Sequence, residues 1–194
     1  LGDMCISAVN IKEAGATSYG AWIKSSIFSD GPAIPKPTTR MGQLIQFLSS
    51  MEDASSWIKN NWKMFDVVIC RRWSMSTRVY QQSNEISSRQ IYELMKTVGI
   101  TEPDLYLLLD IDYDTYKLRA EGRIEKLTEE EFNVINGRYN DQCSQSSVIK
   151  VDGRGSVSNV TDYCLNIILG KFFPGKHTQV DGNRFVGNSA IREV

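Results

Sequence analysis

The chain has 194 residues, of which 41% are hydrophobic and 23% are charged, and this balance is typical of a folded globular domain rather than a disordered chain. Its formal net charge is −1, so no global positive field is available to hold nucleic acid, and no apolar run is long enough to span a membrane. One histidine and four cysteines without a Cys-x-x-Cys pair argue against a metal site and indicate an intracellular, reducing compartment, with the cytoplasm favoured.

Apolar runs alternate with helical patterns along the chain. Predicted strands lie at residues 5–11, 67–70, 105–111 and 147–151, and predicted helices at 19–28, 41–64, 83–98, 114–138 and 156–169. The strands are uninterrupted apolar runs, which are typical of parallel strands buried on both faces. The pattern predicts an α/β domain over residues 1–173, with a parallel sheet flanked by helices and the strands at 67–70 and 105–111 among the inner ones. Residues 174–194 have no periodicity and are interpreted as a C-terminal extension or tail.

A basic and hydroxyl-rich segment follows the strand at 67–70 directly. Arg71 and Arg72 come first, and Ser74, Ser76 and Thr77 follow within five residues. Ligands of parallel sheets bind outside the carboxyl ends of the strands, and the planar guanidinium of arginine suits phosphate. The segment therefore predicts an anion site, with a surface charge cluster as the alternative.

A second basic segment contains Lys117, Arg119, Arg123 and Lys126 among several glutamates. A mobile segment that closes over a polyphosphate has this composition. A solvated helix with ion pairs four residues apart has it too, and composition alone favours the helix.

Three further positions have two interpretations each. Asp110 and Asp112 end the strand at 105–111, where carboxylates can hold Mg²⁺ or can cap the following helix. Phe47 can stack on a base, but its place in the apolar stripe of a helix favours a core role.

Several segments carry a family resemblance when they are taken in order. Residues 13–20 (EAGATSYG) resemble Glu-Pro-Gly-Gly-Thr-x-x-Gly, and residues 71–81 (RRWSMSTRVYQ) resemble Asp-Arg-aromatic, then Ser, then Tyr-Gln. Pro103-Asp104 before the strand and Arg138-Tyr139 in the later helix fit the same order. Over roughly residues 5–170 the chain is similar to the thymidylate kinase family.

The resemblance implies transfer of the γ-phosphoryl group of ATP, with Mg²⁺, to a nucleoside monophosphate such as dTMP. It implies a P-loop-kinase-like, three-layer architecture, and we expect a homodimer or a subunit of a larger assembly. It also implies roles for single residues. Arg72 would hold the acceptor phosphate, Phe47 would stack on the base, Ser76, Thr77, Tyr80 and Gln81 would line the nucleoside pocket, and Arg119 and Arg123 would close on the transferring phosphate.

The chain departs from the family pattern at three points. Arg71 stands where the family has aspartate, and Met51 stands where it has a base-reading arginine. The 194 residues contain no Gly-x-x-x-x-Gly-Lys-Ser/Thr loop, and the nearest match has His177 in the last place. In the family architecture, the first strand lies between the strands that correspond to residues 67–70 and 105–111. We expect this first strand to be missing here, to be supplied from elsewhere, or to be replaced by direct pairing of the strands at 67–70 and 105–111.

Two functions follow from these features. The first is a nucleoside monophosphate kinase that is incomplete as shown, because its phosphate loop is absent. The second is a catalytically inactive relative that acts as a structural or interaction module. In either case we predict that the 194-residue chain alone is inactive.

Overall fold

The structure is a computed structural model that describes residues 6–28, 37–122, 126–144, 147–174 and 192–193. Its strands are β1 (Ala8–Lys12), β2 (Val67–Arg71), β3 (Tyr106–Asp110), β4 (Val148–Asp152) and β5 (Arg192–Glu193). Its α-helices are α1 (Ser18–Phe28), α2 (Arg40–Asn61), α3 (Ser74–Gln81), α4 (Ser88–Thr97), α5 (Tyr113–Arg119), α6 (Glu129–Gln142) and α7 (Val157–Phe172). Within these ranges, every helix is too short or too polar to cross a membrane.

The chain divides into two compact units. The first unit comprises Leu1–Glu102 and Val186–Val194, and the second comprises Pro103–Phe185. The first contains a sheet with the strand order β2-β1-β5, and the second contains the pair β3-β4. All described pairings are parallel, so the predicted α/β class with parallel strands is confirmed. The predicted boundary at residue 173 stays a prediction, although β5, from the predicted tail, joins the sheet beside β1.

The burial of β2 and β3 differs from the prediction. Among the described residues of its own unit, β2 pairs only with β1 and β3 only with β4, so neither is an inner strand of the sheet that its unit forms. Ile69 in β2 is 40% exposed and Leu109 in β3 is 52% exposed. These two side chains lie on faces of the sheets that are not fully covered, so the apolar runs are only partly buried.

The first unit has a large apolar core built around α2. Thr39 caps this helix by accepting a hydrogen bond from the backbone N–H of Gly42. Leu44, Leu48 and Met51 recur at helical spacing and are buried together with Ile11 of β1 and Trp73, which precedes α3. This core fixes α2 against the sheet and so positions the polar residues on its neighbouring face.

The second unit contains a smaller aromatic cluster. Phe132 of α6 lies 5.6 Å from Tyr113 and 5.2 Å from Tyr116 of α5, measured between ring centroids. A reciprocal capping box between Thr128 and Glu131 starts α6. Asp112 caps α5 by accepting a hydrogen bond of 2.7 Å from the N–H of Thr115, which is the capping role that the sequence left open.

Candidate functional site: the carboxyl ends of β1 and β2

The carboxyl ends of β1 and β2 lie side by side. Their register places Lys12 opposite Arg71, and the backbone N–H of Glu13 donates a 3.1 Å hydrogen bond to the carbonyl of Arg71. The residues that follow both strands therefore meet at one edge of the sheet, which is where ligands of parallel sheets bind.

Arg72 has an unusual backbone at this edge. Its φ of 57° lies in the left-handed region, which is uncommon for a residue with a side chain and is typical of functional sites. Its guanidinium carbon lies 5.1 Å from the ring centre of Tyr80 on α3, within the range of a cation–π contact. The structure thus brings together two of the predicted substrate-binding residues.

Three other predicted residues lie on α3, the helix that follows Arg72. Ser76 is half-buried, and the buried hydroxyl of Thr77 lies 3.4 Å from the sulfur of Met51 on α2. Gln81, at the end of α3, is half-buried, and its side-chain oxygen is buried without a hydrogen-bond partner. Their roles in a nucleoside pocket stay predictions.

Phe47 lies on α2 between the buried residues Leu44 and Leu48 and is itself half-buried. This intermediate burial is compatible with a base-stacking role and with a packing role. The proposal that Phe47 stacks on a base therefore stays a prediction.

A buried acidic cluster at the same edge was not predicted from the sequence. Glu13, which directly follows β1, is only 6% exposed. Burial raises the pKa of Glu13 to about 7, the Ser50 hydroxyl opposes this rise, and the charge of Asp53 adds to it. The signal in the sequence was the position of Glu13 at a strand end, next to a small-residue turn.

The surroundings of Glu13 are well defined. Asp53 on α2 accepts a hydrogen bond from the hydroxyl of Thr17. Cys70 of β2 also lies close enough to Glu13 to be affected by its charge. Burial raises the pKa of the Cys70 thiol to about 12, and the negative charge of Glu13 adds to this rise. Cys70 is therefore a protonated thiol at neutral pH and adds no charge to the cluster.

The basic segment of the second unit is partly engaged in structural contacts. The guanidinium of Arg119 donates hydrogen bonds to three backbone carbonyls after β4, at 2.7 Å to Gly153, 3.3 Å to Arg154 and 3.0 Å to Gly155. Arg119 thus ties the end of α5 to this loop. Arg123 lies outside the described residues, and the catalytic role of both arginines stays a prediction.

Polar residues at the strand ends of the second unit are also paired. Asp110 forms an ion pair of 3.0 Å with Lys150, and Asp152 forms one of 2.8 Å with Arg154. Across the part of the chain that the structure describes, no group of three or more His, Cys, Asp or Glu side chains is arranged to hold a metal ion.

Comparison with known proteins relates this site to a family. A family model described as thymidylate kinase matches residues 1–162. A thymidylate kinase of Ruegeria pomeroyi is 45% identical over 58 residues, which span 29% of this chain and only 28% of that protein. The crystal structure of thymidylate kinase from Ehrlichia chaffeensis has a TM-score of 0.62 and 17% identity, over 84% of this chain and 80% of that one, which shows a shared fold. Because the family model covers most of its length, the chain belongs to the thymidylate kinase family.

Proposed function

We propose that the chain provides the acceptor site of a nucleoside monophosphate kinase, which binds a dTMP-like nucleotide at the carboxyl ends of β1 and β2. The family and the fold support a nucleoside-monophosphate-kinase-like function. The observation that carries the proposal is Arg72, a strained arginine at a strand end that contacts Tyr80.

The charges at this edge are available to a ligand. Arg71 and Arg72 are both exposed, and neither has an ion-pair partner among the residues that the structure describes. Arg154 and Lys150 of the second unit, in contrast, are paired with carboxylates. Two adjacent guanidiniums repel each other unless an anion lies near them, and a nucleotide phosphate would satisfy both.

The nucleoside would lie along α2 and α3. Tyr80, Ser76, Thr77 and Gln81 of α3 follow Arg72 in order, and Phe47 lies on α2. The unpartnered oxygen of Gln81 can accept a hydrogen bond from a base N–H. Met51 offers no charged group to a base, so this position does not favour thymine in particular.

ATP and Mg²⁺ are the phosphoryl donor and the metal that this family implies. ATP would supply the γ-phosphoryl group, and Mg²⁺ would neutralise its charge. The described residues do not form a site for either group, since they contain no metal-binding cluster and the 194 residues contain no phosphate loop. Arg119 and Arg123 remain proposed to contact the transferring phosphate, and Arg119 would have to exchange its carbonyl partners to do so.

A second candidate function is a catalytically inactive relative that acts as a structural or interaction subunit. Arg71 in place of the family aspartate, and Met51 fully buried in place of its base-reading arginine, favour this candidate. Both candidates are compatible with a homodimer or a larger assembly in an intracellular, reducing compartment. The purified chain is incubated with ATP, Mg²⁺ and dTMP, and we expect no phosphorylation under either candidate. Robust phosphorylation of dTMP would refute the inactive relative as well as our prediction that this chain alone is inactive, and nucleotide binding separates the candidates otherwise.

The acceptor site itself is tested by calorimetric titration of dTMP and UMP into the wild type, Arg72→Ala and Arg154→Ala. We expect Arg72→Ala to weaken binding by about 2 kcal/mol, or roughly 30-fold, as for other charge-assisted contacts. Arg154→Ala removes an exposed arginine of the second unit and should leave the affinity unchanged. If neither nucleotide binds the wild type at millimolar concentration, the acceptor site is vestigial and the interaction subunit is the better interpretation.

A further inference from the structure

The carboxyl group of Glu13 and its surroundings contain buried polar atoms that lack partners. Both carboxyl oxygens of Glu13, the hydroxyl of Ser50 and the side-chain oxygen of Gln46 are buried without a well-formed hydrogen bond. Glu13 is 6% exposed and Ser50 is 1% exposed. Buried polar groups in folded proteins are nearly always hydrogen-bonded, so a set of four unpartnered oxygens requires an explanation.

The geometry of α2 places these groups on one side of the helix. Gln46, Ser50 and Asp53 follow each other at spacings of four and three residues, and such positions share a helical face. Helix α1 approaches this face closely, since a Cβ atom on Gly20 would lie 2.9 Å from the Ser50 hydroxyl. The Thr17 hydroxyl binds Asp53, so this carboxylate already has a partner, whereas Glu13 and Ser50 have no well-formed hydrogen bond beyond the influence of the Ser50 hydroxyl on Glu13.

The charges around Glu13 decide which ligand suits it. The titratable groups that act on it are Asp53 of α2, which is negative, and Cys70 of β2, which is a neutral thiol. No arginine or lysine of the described chain forms an ion pair with Glu13. A phosphate would be repelled here, and no metal-binding group exists among the described residues, so the matching ligand atom is an uncharged donor.

We propose that Glu13, Ser50 and Gln46 form a subsite for an uncharged hydrogen-bond donor of the acceptor nucleotide, either a sugar hydroxyl or a base N–H, while Arg72 holds its phosphate. This inference rests on the proposed function. A neutral Glu13 carboxyl has one acceptor oxygen and one O–H donor, so it can both accept from and donate to a hydroxyl. The hydrogen bond from the Glu13 N–H to the Arg71 carbonyl places this subsite beside the arginines.

The subsite makes binding depend on pH in a defined direction. Glu13, with a pKa of about 7, is largely neutral at pH 6 and largely ionised at pH 8. Ionised Glu13 carries an uncompensated charge near an anionic ligand, so the nucleotide binds the protein more tightly when Glu13 is protonated. Above pH 7, where free Glu13 is largely ionised, binding is therefore accompanied by uptake of a proton at Glu13. Affinity should therefore fall as the pH rises from 6 to 8.

The experiment is calorimetric titration of dTMP into the wild type, Glu13→Gln and Glu13→Ala at pH 6 and pH 8, in two buffers that differ in ionisation enthalpy. We expect the wild-type affinity to fall about tenfold between the two pH values, with net proton uptake at pH 8. Glu13→Gln keeps a neutral donor and acceptor, so it should bind dTMP with little change beyond the titration of the nucleotide phosphate. Glu13→Ala should bind weakly at both pH values, and a thermal melt checks that it is folded.

Two analogues identify the donor. A 2′,3′-dideoxy analogue of dTMP lacks the sugar hydroxyl, and an N3-methyl analogue lacks the base N–H. We expect one of them to bind the wild type about as weakly as dTMP binds Glu13→Ala, and the other to bind like dTMP.

The outcomes separate the two proposals. If dTMP binds but the wild type and Glu13→Gln share the same pH dependence, or if both analogues bind as tightly as dTMP, the subsite is refuted and the acceptor site survives. If the wild type binds no nucleotide at either pH, both are refuted. The Gln variant decides the question even if Glu13→Ala fails to fold.

Discussion

The two units of the molecule differ in how completely their buried polar side chains are hydrogen-bonded. In the first unit, polar side-chain atoms of Asn10 in β1, of Glu13 directly after it and of Ser50 on α2 are buried without a well-formed hydrogen bond. In the described part of the second unit, no buried side-chain oxygen or nitrogen lacks a partner, and Arg119 and Asp152 are held by the unit's own groups. Unpartnered buried groups reduce stability, so their concentration in one unit indicates where a ligand is expected to bind.

The two units also differ in the depth of their cores. Leu44 and Met51 of the first unit are fully buried, whereas a strand residue of the second, Leu109, is 52% exposed. The first unit is thus a packed scaffold around a polar site, and the second depends on a smaller cluster around Phe132.

The largest expected effect tests this difference in packing. Leu44→Ala should lower the free energy of unfolding by about 3 kcal/mol, because it leaves a cavity in a closed core. The matched change Leu109→Ala should cost less than about 1 kcal/mol, because much of that side chain is already in contact with water. Urea denaturation measures both. Equal losses would contradict the comparison and would mean that β3 is covered in solution.

The second prediction concerns the pH dependence of stability. The pKa of Glu13 is raised from 4.5 to about 7 in the folded chain, so its contribution to stability is full below pH 4.5 and is lost as the pH rises to 7. Glu13→Gln removes this loss and should raise the free energy of unfolding at pH 8 by up to about 3 kcal/mol, with little effect at pH 4. Thermal melts from pH 4 to pH 8 measure it.

Glu131 in the second unit is a suitable control, because its pKa is shifted in the opposite direction to that of Glu13. The backbone N–H and hydroxyl of Thr128 lower the pKa of Glu131, so this carboxylate stabilises the fold at neutral pH and loses its effect in acid. Glu131→Gln should therefore not stabilise the chain at pH 8. A gain in stability from both variants would show that net charge, rather than burial, governs the result.

The smallest effect is expected in the loop after β4. Arg119→Ala removes the hydrogen bonds to three backbone carbonyls, but water can then bind these carbonyls instead. We therefore expect the free energy of unfolding to fall by about 1 kcal/mol, and the amides of residues 153–155 to exchange faster. Arg154→Ala removes an exposed ion pair with Asp152 and should change stability less. Unchanged exchange in Arg119→Ala would show that Arg119 is free to contact a ligand.

Much of the fold and part of the site could be predicted from the sequence. The apolar runs predicted parallel strands, and the segment after β2 predicted Arg72 and its neighbours, because these features are local in the chain. The prediction that β2 and β3 are inner strands was wrong for the described residues, since a run of valine and leucine specifies a strand but not the number of its neighbours.

By itself, the sequence determined the α/β class, the family resemblance and the position of Arg71 and Arg72 at a strand end. Only the tertiary structure decided that Glu13 is buried beside Ser50 and Asp53, and that Arg119 binds carbonyls 34 to 36 positions away. The physical reason is that desolvation and hydrogen-bond partners depend on which distant segments pack against a residue. A glutamate in a turn is therefore an ordinary surface residue until α2 covers it, and then its pKa rises to about 7.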